Sequence, residues 1–378
     1  MLVKKMPILQ GFPDFETVKK LSNSVSFDCG NAPVFYDIET TGLSRYSTFL
    51  YLIGAVMQEN NKWFLHQWMA EKEDEEPEIL CEFFNFLTSA SSTIQYNGRR
   101  FDQPYLEARY KKHNLPSPFG NLPVLDLYQE LKPCKDLLKL ERMKQPDLEE
   151  FLGLNSRLHC DGGQCIRLYK SYIKNPKAEP EQTILGHNQE DLLGLGSIFS
   201  MLGYRVLMEG NYQPLKAETD EDRMILSFRL PAPVPKPVSK KGTDFYITVR
   251  DQEGALLVTS TDQKIRQYYR DYKAYDYIPG EDTAMPRQLS QYMDKSLRIP
   301  ATPETCYTWF PCSEAFLNNP EKQAQYLKST FHAFSAFRNS EAINRLLCLR
   351  SYSVCIRRHS HKNFYVPERS VPNALLSR

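Results

Sequence analysis

The sequence predicts an α/β domain, a mixed five-stranded sheet flanked by helices, followed by a smaller α+β domain. Three observations carry this. Three strand patterns come first, and helix and strand patterns then alternate, the order that a mixed sheet with crossover helices requires. The chain has 378 residues, more than the about 100–200 of a usual domain, so two cores are expected. Finally, LPAPVPKPVSKKG at 230–242 sets four prolines at alternate positions among three lysines, the pattern of a stiff extended connector. The expected division is a lead-in at 1–30, the α/β domain at 31–205, a linker at 206–242 and a C-terminal domain at 243–378.

In chain order, VFYDIE at 34–39 reads as a strand closed by a Thr-Thr-Gly turn,. LYLIGAVMQ (50–58) and KWFLHQWMA (62–70) follow, separated by Glu59, Asn60 and Asn61, a polar break that suits an antiparallel hairpin. The acidic run EKEDEEPE (71–78) precedes an amphipathic helical pattern. It is expected as a solvated helix start, because carboxylates favour the positive end of the helix dipole. TIQYN (93–97) reads as a strand, 102–113 as a helix, LPVLDLY (122–128) as a strand and much of 129–205 as helices. The long stretch 129–182, with its Cys160-Asp161-Gly162-Gly163 turn, reads as a helical elaboration or a substrate-shaping lid. Beyond the linker, DFYITV and ALLVTST around Asp251–Gly254 suggest a hairpin,.

Composition bounds the rest. Hydrophobic residues make up 41% and charged residues 25%, which is ordinary globular usage. A net charge of +1 excludes a uniformly basic surface, so any nucleic-acid site is local. Nine cysteines cannot all pair within the chain, and a reducing cytoplasm is expected. The spacings of Cys160 and Cys165, and of Cys306 and Cys312, are wider than the two-residue gap of a zinc knuckle. Lys4 and Lys5 precede an apolar run broken by Pro7, Pro13 and Asp14, so no export signal is expected. FLYLIGAVM at 49–57 is too short to span a bilayer as a helix, and no membrane partner is expected.

Three short segments carry chemistry. Asp37 and Glu39 lie two apart on a strand, so both carboxylates project from one face, repel each other and call for a cation or a proton. Asp102 opens a helix after Asn97-Gly98-Arg99-Arg100, where it serves either as a cap or as a third acid. His187 and Asp191 are four apart on a helix and share a face. Each segment alone has an ordinary structural reading.

Taken together and in this order, DIETTGL (37–43), NGRRFD (97–102) and HNQED (187–191) resemble the three motifs of the DEDD-type 3′–5′ exonuclease superfamily. The match is closest to the bacterial YprB-type ribonuclease H-like proteins and covers about residues 31–205. The resemblance implies a ribonuclease H-like fold, with Asp37, Glu39, Asp102 and Asp191 holding two Mg²⁺ or Mn²⁺ ions. It implies that His187 orients or deprotonates the attacking water, and that Thr40, Gly42, Leu43 and Asn97 meet the terminal nucleotide. Arg99, Arg100 and Arg45 flank the acids and suit phosphate contacts. Four carboxylates form the hard oxygen cage these ions favour. The histidine stands four residues before the last aspartate, a spacing typical of family members with tyrosine there.

The expected function is therefore hydrolysis of phosphodiester bonds from the 3′ end of single-stranded DNA or RNA. The alternatives are a catalytically weak nucleic-acid binding module of the same fold and another phosphodiester hydrolase. In the C-terminal domain, QKIRQYYRDYKAYDY (263–277) interleaves tyrosines with bases and reads as a stacking platform or as a helical core stripe. From Ser340 onward seven Lys or Arg face two acids, a basic tail suited to phosphate.

Overall fold

Six strands form the central sheet in the order β1-β4-β3-β2-β5-β6. The computed structural model describes residues 1–154, 161–210, 212–220, 222–242, 244–269 and 271–334. The strands are β1 (Leu2–Pro7), β2 (Pro33–Thr40), β3 (Leu50–Glu59), β4 (Lys62–Met69), β5 (Ser92–Gln95) and β6 (Val124–Asp126). β1 to β4 pair antiparallel, whereas β2–β5 and β5–β6 are parallel. The β3–β4 hairpin turns on Asn60 and Asn61, whose φ values of 49° and 62° fit the twist of the flanking strands.

Five of these strands match the expected ones. The sixth is β1, drawn from what reads in sequence as a mixed lead-in, which also forms helix α1 (Phe15–Ser24) capped by Asp14. LVKKMP alternates half-buried and exposed positions and pairs from Leu2 against Met69 to Pro7 against Phe64. It therefore covers the outer edge of β4 with a short, lysine-bearing strand, a common protection of an exposed sheet edge.

Helices α2 (Glu76–Leu87) and α3 (Asp102–Lys112) cover one face. Ile79, Phe83, Tyr105, Leu106 and Tyr110 there bury Val34, Tyr36 and Ile38 of β2. The short α4 (Leu127–Leu131), α5 (Lys135–Leu138) and α6 (Gln145–Leu152) follow β6. Then α7 (Gly162–Tyr172) and α8 (Ala178–Phe199) pack Tyr169, Tyr172, Ile184 and Leu185 against Tyr51, Leu52 and Met69 in a second core cluster. Alternation along β2 turns Tyr36 and Ile38 into the first core, so Asp37 and Glu39 project from the opposite face, toward α8.

One part of the acidic run departs from expectation. Glu76 is 2% exposed. Its carboxylate accepts from Arg109 Nε at 2.6 Å and from Arg109 Nη2, from the Leu50 amide at 2.8 Å, and contacts His113 Nε2 at 2.7 Å. Burial raises its proton affinity, but these donors outweigh that and hold its pKa below the ordinary glutamate value,. Arg109 Nη1 also donates to the Arg45 carbonyl at 3.3 Å. One buried ion pair thus ties α2, α3, β3 and the loop after β2.

The proline-rich segment is not a free connector. It is the second half of β8 (Arg223–Lys241), in an antiparallel sheet ordered β7-β8-β9 with β7 (Gln213–Asp220) and β9 (Phe245–Thr259). Polyproline and β backbones share one extended region, and Leu230, Ala232 and Val234, which alternate with the first three prolines, are buried. The prolines leave their trace in the ladder: between Arg229 and Val238 only Val234 pairs with β9, as expected where backbone donors are missing. α9 (Leu202–Glu209) packs on this stretch. Tyr204 Oη donates to the Lys236 carbonyl at 2.8 Å and accepts from its amide at 3.0 Å. Residues 1–336 accordingly form one compact unit with no break at 206–242.

The expected hairpin at Asp251–Gly254 is also absent. β9 runs through it, Asp251 taking a φ of 54° as a kink within the strand. The described residues of the tyrosine-rich segment form β10 (Lys264–Tyr268), a single 3-10 turn (Tyr272–Ala274) and β11 (Tyr275–Ile278), not an α-helix. Its rings pack inward: Tyr269 stacks on Tyr275 at 4.6 Å, and Tyr272, Tyr275 and Tyr277 surround Ala284, Ala301 and Cys306. Of its bases, Arg266 is engaged, with Asp244 at 3.1 Å and over the rings of Tyr307 and Trp309. These contacts favour the core reading over a stacking platform. The basic tail and Cys160 lie outside the described residues.

Candidate active site

The C-terminal end of β2, the start of α3 and the middle of α8 converge. Asp37 and Glu39 leave β2 on one face, and the ladder to β3 shifts register between Glu39 and Thr40. Asp102 is the first residue of α3 and is 8% exposed. It does not act as the cap of that helix, because the N-cap position is Phe101 and no side chain closes it. Its carboxyl accepts instead from its own amide and that of Ile38.

On α8, His187 Nε2 lies 3.3 Å from Asp191 Oδ2 and 3.4 Å from Glu39 Oε1. The four-residue interval therefore does bring imidazole and carboxylate together, one helical turn apart. Ligand atoms of Glu39, His187 and Asp191 all lie within 4.8 Å of one another. Tyr51 of β3 donates to Glu39 Oε2 at 3.5 Å and is itself stacked on Tyr169 of α7, with centroids 4.1 Å apart. A Cβ built on Gly162, the first residue of α7, would stand 4.0 Å from His187 Nε2. The segment that reads as an elaboration or a lid thus places a packed helix end beside the imidazole.

The electrostatics are those of acids crowded in a buried setting. Desolvation, followed by the charges of Asp191, Asp102 and Glu39, pushes the Asp37 pKa well above the ordinary carboxylate range, while a hydrogen bond from Asn188 opposes it. Desolvation, with Asp126 and Asp191 adding to it, pushes Asp102 up to about 7. Among the described residues no lysine or arginine is ion-paired with Asp37 or Asp102. Carboxyls held this close without cationic partners favour either protons or a multivalent cation. Carboxylate oxygens are hard donors of the kind that suit a divalent cation such as Mg²⁺ or Mn²⁺.

The other expected residues surround the cluster. Thr40 Oγ1 donates to the Gly42 carbonyl at 2.9 Å, and Thr48 Oγ1 donates to the same carbonyl at 2.9 Å. Thr48 also meets Tyr105 Oη at 2.8 Å. This braced loop presents Leu43, 87% exposed, so Leu43 is not a core residue. Asn97 adopts a φ of 60°, and its amide donates to Asp126 Oδ1 at 2.8 Å, while the Arg99 amide donates to Asp126 Oδ2 at 3.2 Å. Arg99 and Arg100 are exposed, Arg99 Nη2 donating to the Val124 carbonyl at 2.7 Å.

Sequence reasoning passed over Tyr51, Gln67, Asp126 and Asn188. Asp126 stood at the end of a recognised strand, LPVLD, where an acid is a signal of its own. Asn188 lay inside the HNQED segment, although nothing in its type marks it as buried. Tyr51 and Gln67 sat in apolar strands and gave no signal.

Residues 34–202 match the family model described as RNase_H superfamily. The chain is 26% identical over 183 residues to the uncharacterized protein YprB of Bacillus subtilis (strain 168), a match covering 47% of this chain and 43% of that protein. It thus spans under half the length of that relative. Among solved structures, the family B DNA polymerase of the archaeon Pyrobaculum calidifontis aligns with a TM-score of 0.42 and 13% identity, over 82% of this chain and 47% of that one. An ExoI/SSB-Ct complex aligns at 0.31 and 11%, over 87% and 79%.

Proposed function

We propose, from the match of residues 34–202 to the RNase_H superfamily model and from the acidic site, that the chain is a metal-dependent exonuclease that hydrolyses single-stranded nucleic acid from its 3′ end. The observation that carries the reading is the cluster itself. Asp37, Glu39, Asp102 and Asp191 converge without a lysine or arginine partner for Asp37 or Asp102, at the edge of a loop that projects an exposed Leu43. A module that only bound a polyanion would gain nothing from concentrating negative charge at the contact.

In this reading the four carboxylates hold two divalent ions, Mg²⁺ or Mn²⁺. Such ions, when bound, neutralise charge at the phosphate and lower the pKa of water. The residues of the chain supply position and proton handling. Glu39 is oriented by Tyr51. His187 Nε2, beside both Glu39 and Asp191, takes the proton of the attacking water as general base. Leu43 on its braced loop lies against the terminal base, Thr40 and Gly42 shape that loop, and Asn97 supports the strand. Arg99 and Arg100 contact phosphate. Asp126 acts at one remove, holding the Asn97 and Arg99 amides.

Two outcomes follow. With Mg²⁺ or Mn²⁺, 5′-labelled single-stranded DNA or RNA shortens progressively to a ladder, and a chelator stops it; internal cleavage, or shortening indifferent to chelator, overturns the reading. Metal also stabilises the fold. At about 100 times Kd a ligand contributes about 2.7 kcal/mol, or about 3–4 °C in Tm, since an unfolding entropy of about 2.1 cal/mol/K per residue gives little more than about 1 °C per kcal/mol in a chain of this length. Because ions compete with protons at Asp37 and Asp102, the Mn²⁺-induced shift in a thermal melt is expected to be larger at pH 8 than at pH 5.5.

A further inference from the structure

Behind the acidic cluster lies a chain of buried amides. Gln67 of β4 is 1% exposed and Asn188 of α8 is 0% exposed. Gln67 Nε2 donates to the Leu185 carbonyl at 2.8 Å and to Asn188 Oδ1 at 3.0 Å, and Asn188 Nδ2 donates to Asp37 Oδ2 at 3.1 Å. Between β4 and β2, β3 passes under Asn188 at Gly54. A Cβ there would fall 1.9 Å from Asn188 Oδ1 and 2.6 Å from Leu192 Cδ1. Only glycine leaves room for the carboxamide.

The chain has a direction. A backbone carbonyl only accepts, so Leu185 O turns the Gln67 nitrogen toward α8. The second hydrogen of that nitrogen then requires an acceptor, which makes Oδ1 the atom of Asn188 that faces Gln67. Nδ2 is left pointing at Asp37. Gln67 Oε1, on the far side, has no hydrogen-bond partner among the described residues, so a buried acceptor is sacrificed to keep this orientation. At the other end the hydrogen bond from Asn188 falls on Oδ2 of Asp37.

We propose that Gln67 and Asn188 are positioning residues that lock the Asp37 carboxylate by its Oδ2, leaving Oδ1 to a divalent ion, and thereby set the metal affinity of the site. A neutral donor suits this duty. A lysine or arginine in place of Asn188 would fix Asp37 equally well, but its charge would cancel part of the attraction for the cation. The amide holds the oxygen and leaves the charge in place. This inference rests on the reading of the cluster as a metal site.

The test is Mn²⁺ binding by titration calorimetry on the full chain at pH 8, which needs no nucleic-acid substrate. Three variants reach the same chain by different routes: Asn188→Leu deletes the donor, Gln67→Met frees the Asn188 carboxamide to turn, and Gly54→Ala displaces it without touching a polar group. Partners that orient a metal ligand are worth about 10–100-fold in affinity. Asn188→Leu is expected to weaken Mn²⁺ within that range, and Gln67→Met and Gly54→Ala to weaken it less. Metal-free thermal melts identify any variant that fails to fold, and the remaining ones decide the matter. Folded variants that bind Mn²⁺ as tightly as the wild type overturn the proposal while leaving the metal site intact. A wild type that binds no Mn²⁺ overturns the proposal and the metal site together.

Discussion

Asp102→Asn is expected to make the metal-free protein more stable at pH 8 while abolishing the proposed nuclease activity. Burial and neighbouring acids push the Asp102 carboxyl from 3.8 up to about 7. Below about pH 3.8 the group is protonated in the folded and the unfolded chain alike, and its raised pKa costs nothing. As pH rises from there, the unfolded chain releases its proton and the folded one does not, so stability falls until the folded group titrates near 7, and stays low above it. Each pKa unit is worth about 1.36 kcal/mol, so the neutral isostere should recover between roughly 1 and 4 kcal/mol at pH 8 and nearly nothing at pH 4. The Asn side chain still accepts from the Ile38 amide, so the geometry survives. Activity should fall by more than about 100-fold, because even partners one step removed from a metal are worth 10–100-fold. Urea melts at the two pH values, together with nuclease assays, read both effects. A variant less stable than wild type at pH 8 would show that Asp102 is not under charge strain.

Arg109→Ala is expected to have the opposite character, a large loss of stability whose effect on the site is indirect. Arg109 is 1% exposed and Glu76 2%, so truncation leaves a buried carboxylate without its main partner. Breaking such a pair from one side costs about 3–5 kcal/mol, which is about 4–6 °C in Tm for a chain of this length. The Arg45 carbonyl loses its donor as well, loosening the loop that presents Leu43. A double change, Glu76→Gln with Arg109→Met, should recover much of the loss, since replacing both members removes the uncompensated charge. Thermal melts of the single and double variants decide this. If the double variant were no better than the single, the cost would lie in packing and not in charge.

The residues that converge on the acidic cluster were legible because each motif carried its own local geometry. A two-residue step on a strand and a four-residue step on a helix put the side chains of each pair on one face before any tertiary contact is known. Strand order was legible for similar reasons, since VFYDIE, LYLIGAVMQ and KWFLHQWMA are continuous apolar runs with turn residues between them. What failed were segments whose local signal is shared by two states. Alternate prolines fit both a connector and an extended strand, and burial of Leu230 and Ala232 decided for the strand. Glu76 read as one more solvated acid because Arg109, its partner, lies on another helix. Asn188 and Gln67 were hidden for the same reason: an amide becomes an orienting group only through neighbours brought from β2 and β3.

The central claim is that this cluster cuts nucleic acid, and the most direct test runs wild type beside Asp37→Ala on 5′-labelled single-stranded DNA and RNA with Mn²⁺. The account predicts a ladder shortening from the 3′ end with wild type and an intact band with Asp37→Ala, both proteins melting as folded chains. Equal shortening by both, or none by folded wild type on either polymer, would contradict it.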